Sequence, residues 1–175
     1  MEFNFNQTGM QQRPVFLSFT GVITRIEMTV SRGRYDGCSQ MVTVENESGN
    51  TVNFLMNANT FVVDYVTVYE SLPVTVFYNG NAAVPLIYPP QYTAAVIAAQ
   101  TEGQMVYVGY FNNILMSSDQ GLKLNLAPST VVVTQNNQTF QGSPAGHTLV
   151  ILYSQTTRSI PPQTTPDKII VLCGE

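Results

Sequence analysis

The chain has no tryptophan, a single histidine, two cysteines and very little charge, with 7 Lys plus Arg and 11 Asp plus Glu in 175 residues. One histidine and two cysteines leave no Cys/His spacing that would hold a metal, so no metal site is expected. Charged residues make up 10% of the chain, against about 25% in an ordinary globular protein. Polar surface must therefore come from Asn, Gln, Thr and Ser, and little charge repulsion keeps copies apart. The net charge of −4 and the pI near 4.8 give weak attraction for phosphate backbones, which disfavours nucleic acid as a partner. No run of about 20 apolar residues is present, so no membrane-spanning helix is expected. The opening residues Met1-Glu2-Phe3-Asn4-Phe5-Asn6 lack the basic and apolar regions of a signal peptide. No Gly-rich phosphate loop, nucleotide motif or metalloprotease motif appears, and His147 has no Ser/Asp partners in a triad-like pattern. No catalytic residue, enzyme activity or cofactor is expected.

What the chain does have is an internal echo. Pro89-Pro90-Gln91-Tyr92-Thr93 comes back 72 positions later as Pro161-Pro162-Gln163-Thr164-Thr165, and Gly49 and Asn53 recur as Gly121 and Asn125 at the same offset. Thr60-Phe61-Val62-Val63 is answered by Thr130-Val131-Val132-Val133 at offset 70, and residues 74–78 by residues 149–153 at offset 75. Matched blocks in one order, with offsets drifting by a few residues, predict a β-rich unit used twice. The expected division is an N-terminal arm at 1–13, a first unit at 14–101 and a second at 102–175. Units of that size bury a modest share of their surface, so they are expected to pack on each other or on another chain.

Alternation of β-branched and aromatic residues predicts the same strand plan in both units. In the first, strands are expected at 15–29, bent at Gly21, then 41–45 and 51–56 around a turn at 47–50, then 74–78 and 92–98. Residues 94–100 also fit a helix. In the second, strands are expected at 105–115, 122–126, 130–133, 148–153 and 168–172. This order resembles the oligonucleotide/oligosaccharide-binding (OB) barrel, and the fold class expected is all-β, two tandem five-stranded OB-like barrels. The stretch from Tyr78 through Pro85-Leu86-Ile87-Tyr88-Pro89-Pro90-Gln91-Tyr92 is also similar to small β-barrel proteins of spore-forming bacteria. That likeness implies no activity. A cell or spore surface is favoured over the cytoplasm.

The OB resemblance implies a ligand face on the first unit: Arg25, Arg32, Arg34 and Tyr35 in the first loop, Asn53 and Phe54 on the face, and Tyr88 and Tyr92 in the last loop. Arginines beside aromatics would pair phosphates and stack bases or sugars. In the second unit Tyr88 is answered by Ile160 and Tyr92 by Thr164, and the arginine loop is expected to shrink to residues 117–120, which argues for tyrosines that cover the barrel mouth instead. Phe3 and Phe5 in the arm, with Leu86, Ile87 and Tyr88 in the proline loop, are candidate contacts between copies. Cys38 and Cys173 are candidate cross-links. The favoured function is a non-enzymatic structural protein that associates with itself into a fibre, coat or surface layer. The alternative is an OB-type binding module for an oligosaccharide or single-stranded nucleic acid.

Overall fold

A strand buried on one face alternates polar and apolar residues, whereas one buried on both faces is apolar throughout. Both patterns occur here, and their arrangement defines the fold. The computed structural model describes residues 13–30 and 32–174 and is all-β. In chain order the strands are β1 (Phe16–Met28), β2 (Gln40–Glu45), β3 (Thr51–Met56), β4 (Phe61–Val62), β5 (Pro73–Asn79), β6 (Gln91–Ala99), β7 (Met105–Phe111), β8 (Lys123–Leu124), β9 (Val131–Thr134), β10 (His147–Tyr153), β11 (Gln163–Thr164) and β12 (Lys168–Leu172). One turn of 3-10 helix, Val63–Tyr65, follows β4. Residues 94–100, which suit a helix or a strand, begin in β6. Among the described residues no helix is long and apolar enough to cross a membrane.

The first half pairs in a ring: β1 with β2, β2 with β3, β3 parallel with β6, β6 with β5, and β5 back to β1. The second half is uneven. A four-stranded sheet, β7-β10-β12-β9, stands beside the two-stranded pair β8-β11, and isolated bridges Phe111–Ser117 and Met116–Lys123 take the place of a second strand.

The registers of the two halves nevertheless coincide. Val74 faces Ala99 as Leu149 faces Val171, and Val76 faces Ile97 as Ile151 faces Ile169. Phe61 pairs in parallel with Val96 as Val131 does with Lys168. A threonine hook repeats as well. Thr60 Oγ1 accepts from the Asn57 N–H at 3.1 Å and donates to the Ala94 carbonyl at 2.7 Å. Thr130 Oγ1 accepts from Ala127 at 3.2 Å and donates to Pro166 at 3.0 Å. Each hook ties the turn before the short parallel strand to the chain of the last strand, within β6 in the first half and just before β12 in the second. The X–Pro bonds Tyr88–Pro89 and Ile160–Pro161 are both cis.

Three apolar clusters make the core. One lies inside the first ring, with Ile23, Val42, Val44, Val52, Phe54, Val74, Val76 and Ile97. A second fills the other half, around Phe111, Leu122, Leu124, Leu149, Ile151 and Ile169. The third joins the halves: Phe61, Val63, Phe77, Val96 and Ala98 meet Val108, Val133, Val150, Leu152 and Ile170. Matched positions, Val63 with Val133, Phe77 with Leu152 and Ala98 with Ile170, fall in this one cluster. The same face of each half is used, as in an isologous contact about an approximate two-fold. Strands β6, β10 and β12 are therefore buried on both sides, which accounts for their unbroken apolar runs.

The bend expected at Gly21 has a local cause. Here β1 leaves β5, its partner over Phe16 to Val22, and takes up β2 over Val22 to Met28. A Cβ on Gly21 would lie 2.2 Å from the Glu45 backbone oxygen, so no other residue permits the crossing. Gly109 occupies the same register, facing Leu149 as Gly21 faces Val74, but a Cβ there meets only the Tyr107 ring at 3.2 Å. Gly21→Ala should cost about 3 kcal/mol in urea denaturation and Gly109→Ala clearly less, since a ring can move where a backbone cannot. Equal costs would contradict this reading of the crossing.

Candidate functional site

Strand β3 places Val52 and Phe54 on its inner side and Asn53 on its outer one. Phe54 is fully buried, so it offers nothing to a ligand and belongs to the core instead. The expectation that Asn53 and Phe54 share one ligand face is corrected: neighbours along a strand point to opposite faces, and Phe54 is the inner one. Phe54 meets Phe19 at 6.1 Å, Tyr78 at 5.5 Å and Tyr92 at 6.3 Å between ring centroids. Tyr78 and Tyr92 lie 4.2 Å apart. This stack is an aromatic plug within the first half, with Phe19, Tyr78 and Tyr92 partly buried against its core. Burial pushes the Tyr78 phenol up from its ordinary value, and Tyr92 adds to the shift. Outside the ring, Asn53 Oδ1 accepts from the Thr43 hydroxyl at 2.7 Å.

The arginines stand apart from this stack. Arg25 and Glu27 project from the same side of β1 and pair at 3.4 Å, both largely exposed. Arg32, Arg34 and Tyr35 are exposed on the connection between β1 and β2, which Thr29 and Ser39 close at its base by a backbone hydrogen bond of 3.2 Å and a hydroxyl pair at 2.8 Å. Arg32 takes a left-handed φ of 52°. Among the described residues, no hydrogen bond, ion pair or ring contact links Arg32 or Arg34 to Tyr88 or Tyr92. A different arginine makes the described cation–π contact: Arg13 lies 4.0 Å over the Tyr110 ring and ties the start of β1 to the second half.

Residues 117–120 do not correspond to the arginine loop. They form the turn between the bridges that replace β2 and strand β8, where the first half has residues 46–50. The counterpart of the arginine loop is the tight turn at 112–115, closed by the Leu115 N–H on the Asn112 carbonyl at 2.9 Å. At 117–121 a polar knot forms that sequence reading missed, because its members come from a strand and a turn of no recognisable motif. The Tyr107 hydroxyl donates to Asp119 and, at 3.2 Å, to Ser117. Ser117 donates to Asp119 at 2.7 Å, and the Gly121 N–H donates to Asp119 at 2.9 Å. Burial, then the bond to Asp119, drives the Tyr107 phenol far above its ordinary value. Burial alone would raise Asp119, but hydrogen bonds from Ser117, Tyr107 and Gly121 outweigh it and hold the carboxyl below 3.8. Tyr107 faces Ile151 across the sheet as Phe19 faces Val76, so the knot sits where the first half has its aromatic plug.

The remaining candidates are at the surface. Leu86, Ile87 and Tyr88 project from the first proline loop, and Ile160 from the second, with Leu86 at 102% and Ile160 at 100% relative exposure. Cys38 and Cys173 are exposed free thiols. His147 starts β10 with its ring edge-to-face on Phe140 at 5.6 Å. Phe3 and Phe5 lie outside the described residues. The chain matches no protein-family model, and no curated protein matches it in sequence.

The knot has a pH signature. A carboxyl held below its ordinary value adds stability that is present above that value and lost as the pH falls through the folded one. Asp119→Asn should therefore lower the thermal midpoint at pH about 7, and its deficit against the parent should shrink as pH falls from about 5 to about 2. A deficit independent of pH in a thermal melt series would show that Asp119 does not act through its charge.

Proposed function

We propose that this chain is a non-enzymatic structural protein that associates with itself, built from two OB-like barrels at residues 14–101 and 102–175. The ring of pairings in the first half and the matching registers in the second support the barrel reading. The observation that carries the functional reading is that each half raises one apolar loop whose tip stands wholly in solvent, Leu86 with Tyr88 in the first and Ile160 in the second. A contiguous exposed apolar run such as Leu86-Ile87-Tyr88 marks an interaction surface, and Ile160 is the exposed apolar group at the matching place in the second half. The second loop is held in shape before any partner arrives. Thr157 donates its N–H to the Gln163 carbonyl at 2.8 Å, Gln163 returns its own N–H to Thr157 Oγ1 at 2.9 Å, and Ser159 donates to the Pro161 carbonyl at 2.9 Å. A preformed loop loses little entropy on docking, so more of its contact energy goes into association.

Two such loops make the chain bivalent, and a bivalent unit grows into open chains unless its geometry closes. The weak net charge offers little repulsion against this. The face shared by the halves is already consumed inside the molecule, so growth starts at the loops, and the arm with Phe3 and Phe5 and the thiols of Cys38 and Cys173 add contacts and cross-links only between copies that the loops bring together. A fibre, coat or surface layer is the expected product. The OB-type ligand reading is the weaker one, because Phe54 is buried in the aromatic plug and no described contact links Arg32 or Arg34 to Tyr88 or Tyr92.

Light scattering at rising concentration tests this directly. The parent should form species larger than a dimer. A variant with one loop blunted, Ile160→Ser or Leu86→Ser with Tyr88→Ser, should stop at a dimer or smaller, and blunting both should leave monomers with an unchanged circular dichroism spectrum. A parent that stays monomeric throughout, or blunted variants that assemble as the parent does, would refute the proposal.

A further inference from the structure

The same face-to-face packing that joins the halves leaves a cleft of about 450 Å³ beside the shared core. Ser18 and Thr20 of β1 line one wall, Gln104 and Tyr153 of the second half line the other, and Asp64 stands at the edge. Val66 and Met105, both partly in solvent, supply apolar surface within it. The described lining holds no lysine, arginine or histidine, so phosphate or carboxylate ligands would meet no countercharge there. The side chains of Ser18, Asp64 and Gln104 and the Tyr153 hydroxyl have no hydrogen-bond partner among the described residues, and all four residues line the cleft. Burial raises the Tyr153 phenol, which keeps it a neutral donor.

The backbone at the edge adds an independent observation. Asp64 and Tyr65 are consecutive left-handed residues, with φ of 58° and 54°, and neither is glycine. Such a pair persists only where its surroundings over-determine it, and strain of this kind gathers at ligand clamps. Here Val63 is anchored in the shared core, the Tyr65 ring packs edge-to-face on Phe61 at 6.0 Å, and the Tyr65 hydroxyl donates to the Gln135 carbonyl. The strained turn carries Asp64, which lines the cleft and makes no hydrogen bond or ion pair among the described residues.

We propose that this cleft binds an uncharged saccharide, with Asp64 and Gln104 taking sugar hydroxyls, Ser18 and Tyr153 completing the polar ring, and Val66 and Met105 receiving the apolar face of the sugar. The volume is that of a small-molecule site, and an apolar surface with a few convergent polar groups is the form such sites take. A lone carboxylate among hydroxyls and amides suits a neutral polyol better than an anion. This site does not depend on self-association, since neither proline loop lines it.

Isothermal titration of the full chain with cellotriose, chitotriose, maltotriose and xylotriose, and with inorganic phosphate as the charged comparison, tests the proposal whatever the assembly state. At least one trisaccharide should bind saturably with Kd at or below about 1 mM, and phosphate should not. Asp64→Asn and Gln104→Ala should each weaken that binding at least about five-fold (roughly 1 kcal/mol). Asp64→Gly, which removes the left-handed penalty, should raise the thermal midpoint while weakening binding as much as Asp64→Asn does. No saturable binding by any of the four sugars, tighter binding of phosphate, or affinity untouched by the Asp64 variants would each overturn it.

Discussion

The contact between the outer faces of β5 and β6 and those of β10 and β12 is the constraint on which the rest of this molecule depends. Each buried side chain of that size contributes about 1.5–3 kcal/mol of transfer free energy, and the net stability of a whole domain is only about 5–15 kcal/mol. A cluster joining Phe61, Val63, Phe77, Val96 and Ala98 to Val108, Val133, Val150, Leu152 and Ile170 is therefore large enough to decide whether either half is stable. It also fixes geometry. The direction of each proline loop, the cleft beside Thr20 and Gln104, and the position of the Asp64 turn all follow from how the two faces meet.

The contact joins equivalent faces of the two halves. Val63 and Val133, Phe77 and Leu152, and Ala98 and Ile170 are matched positions that meet across one cluster. The symmetry is incomplete, since Val96 is matched by Lys168 and the buried Phe61 by an exposed Val131. Equivalent registers are filled differently too. The first half has Phe19, Phe54, Tyr78 and Tyr92, whereas the second places Tyr107, Leu124, Tyr153 and Thr164 there and adds the Ser117–Asp119 knot.

Much of this was legible in the sequence. The strand runs, the bend at Gly21 and the offsets of 70, 72 and 75 correspond to observed strands and registers. The shared proline block lies at equivalent places because Pro90 and Pro162 accept hydrogen bonds from Asn53 and Lys123, at 2.9 and 3.0 Å. These two donors are 70 apart in sequence, not 72, so the apparent match of Asn53 with Asn125 is out of register. The first strands match in the plan, at 15–29 and 105–115, but not residue by residue, since the 29–39 connection is replaced by the short 112–115 turn and Gly21 and Gly109 are displaced well beyond the other offsets. Phe54 is placed with Asn53 on the ligand face by the OB resemblance, whereas the period of two in β3 puts it on the inner face with Val52. The Tyr107 knot and the Asp64 turn depend on partners far along the chain, which no local pattern records.

The central claim is that the shared cluster makes the two halves one cooperative structure. Equilibrium urea denaturation, followed at once by amide exchange in Val76 of the first ring and Ile151 of the second half, tests it most directly. The account predicts a single transition with the same midpoint for both residues, and Leu152→Ala should shift the two together by about 2–5 kcal/mol. Two separate transitions, or a Leu152→Ala shift confined to the second half, would contradict it.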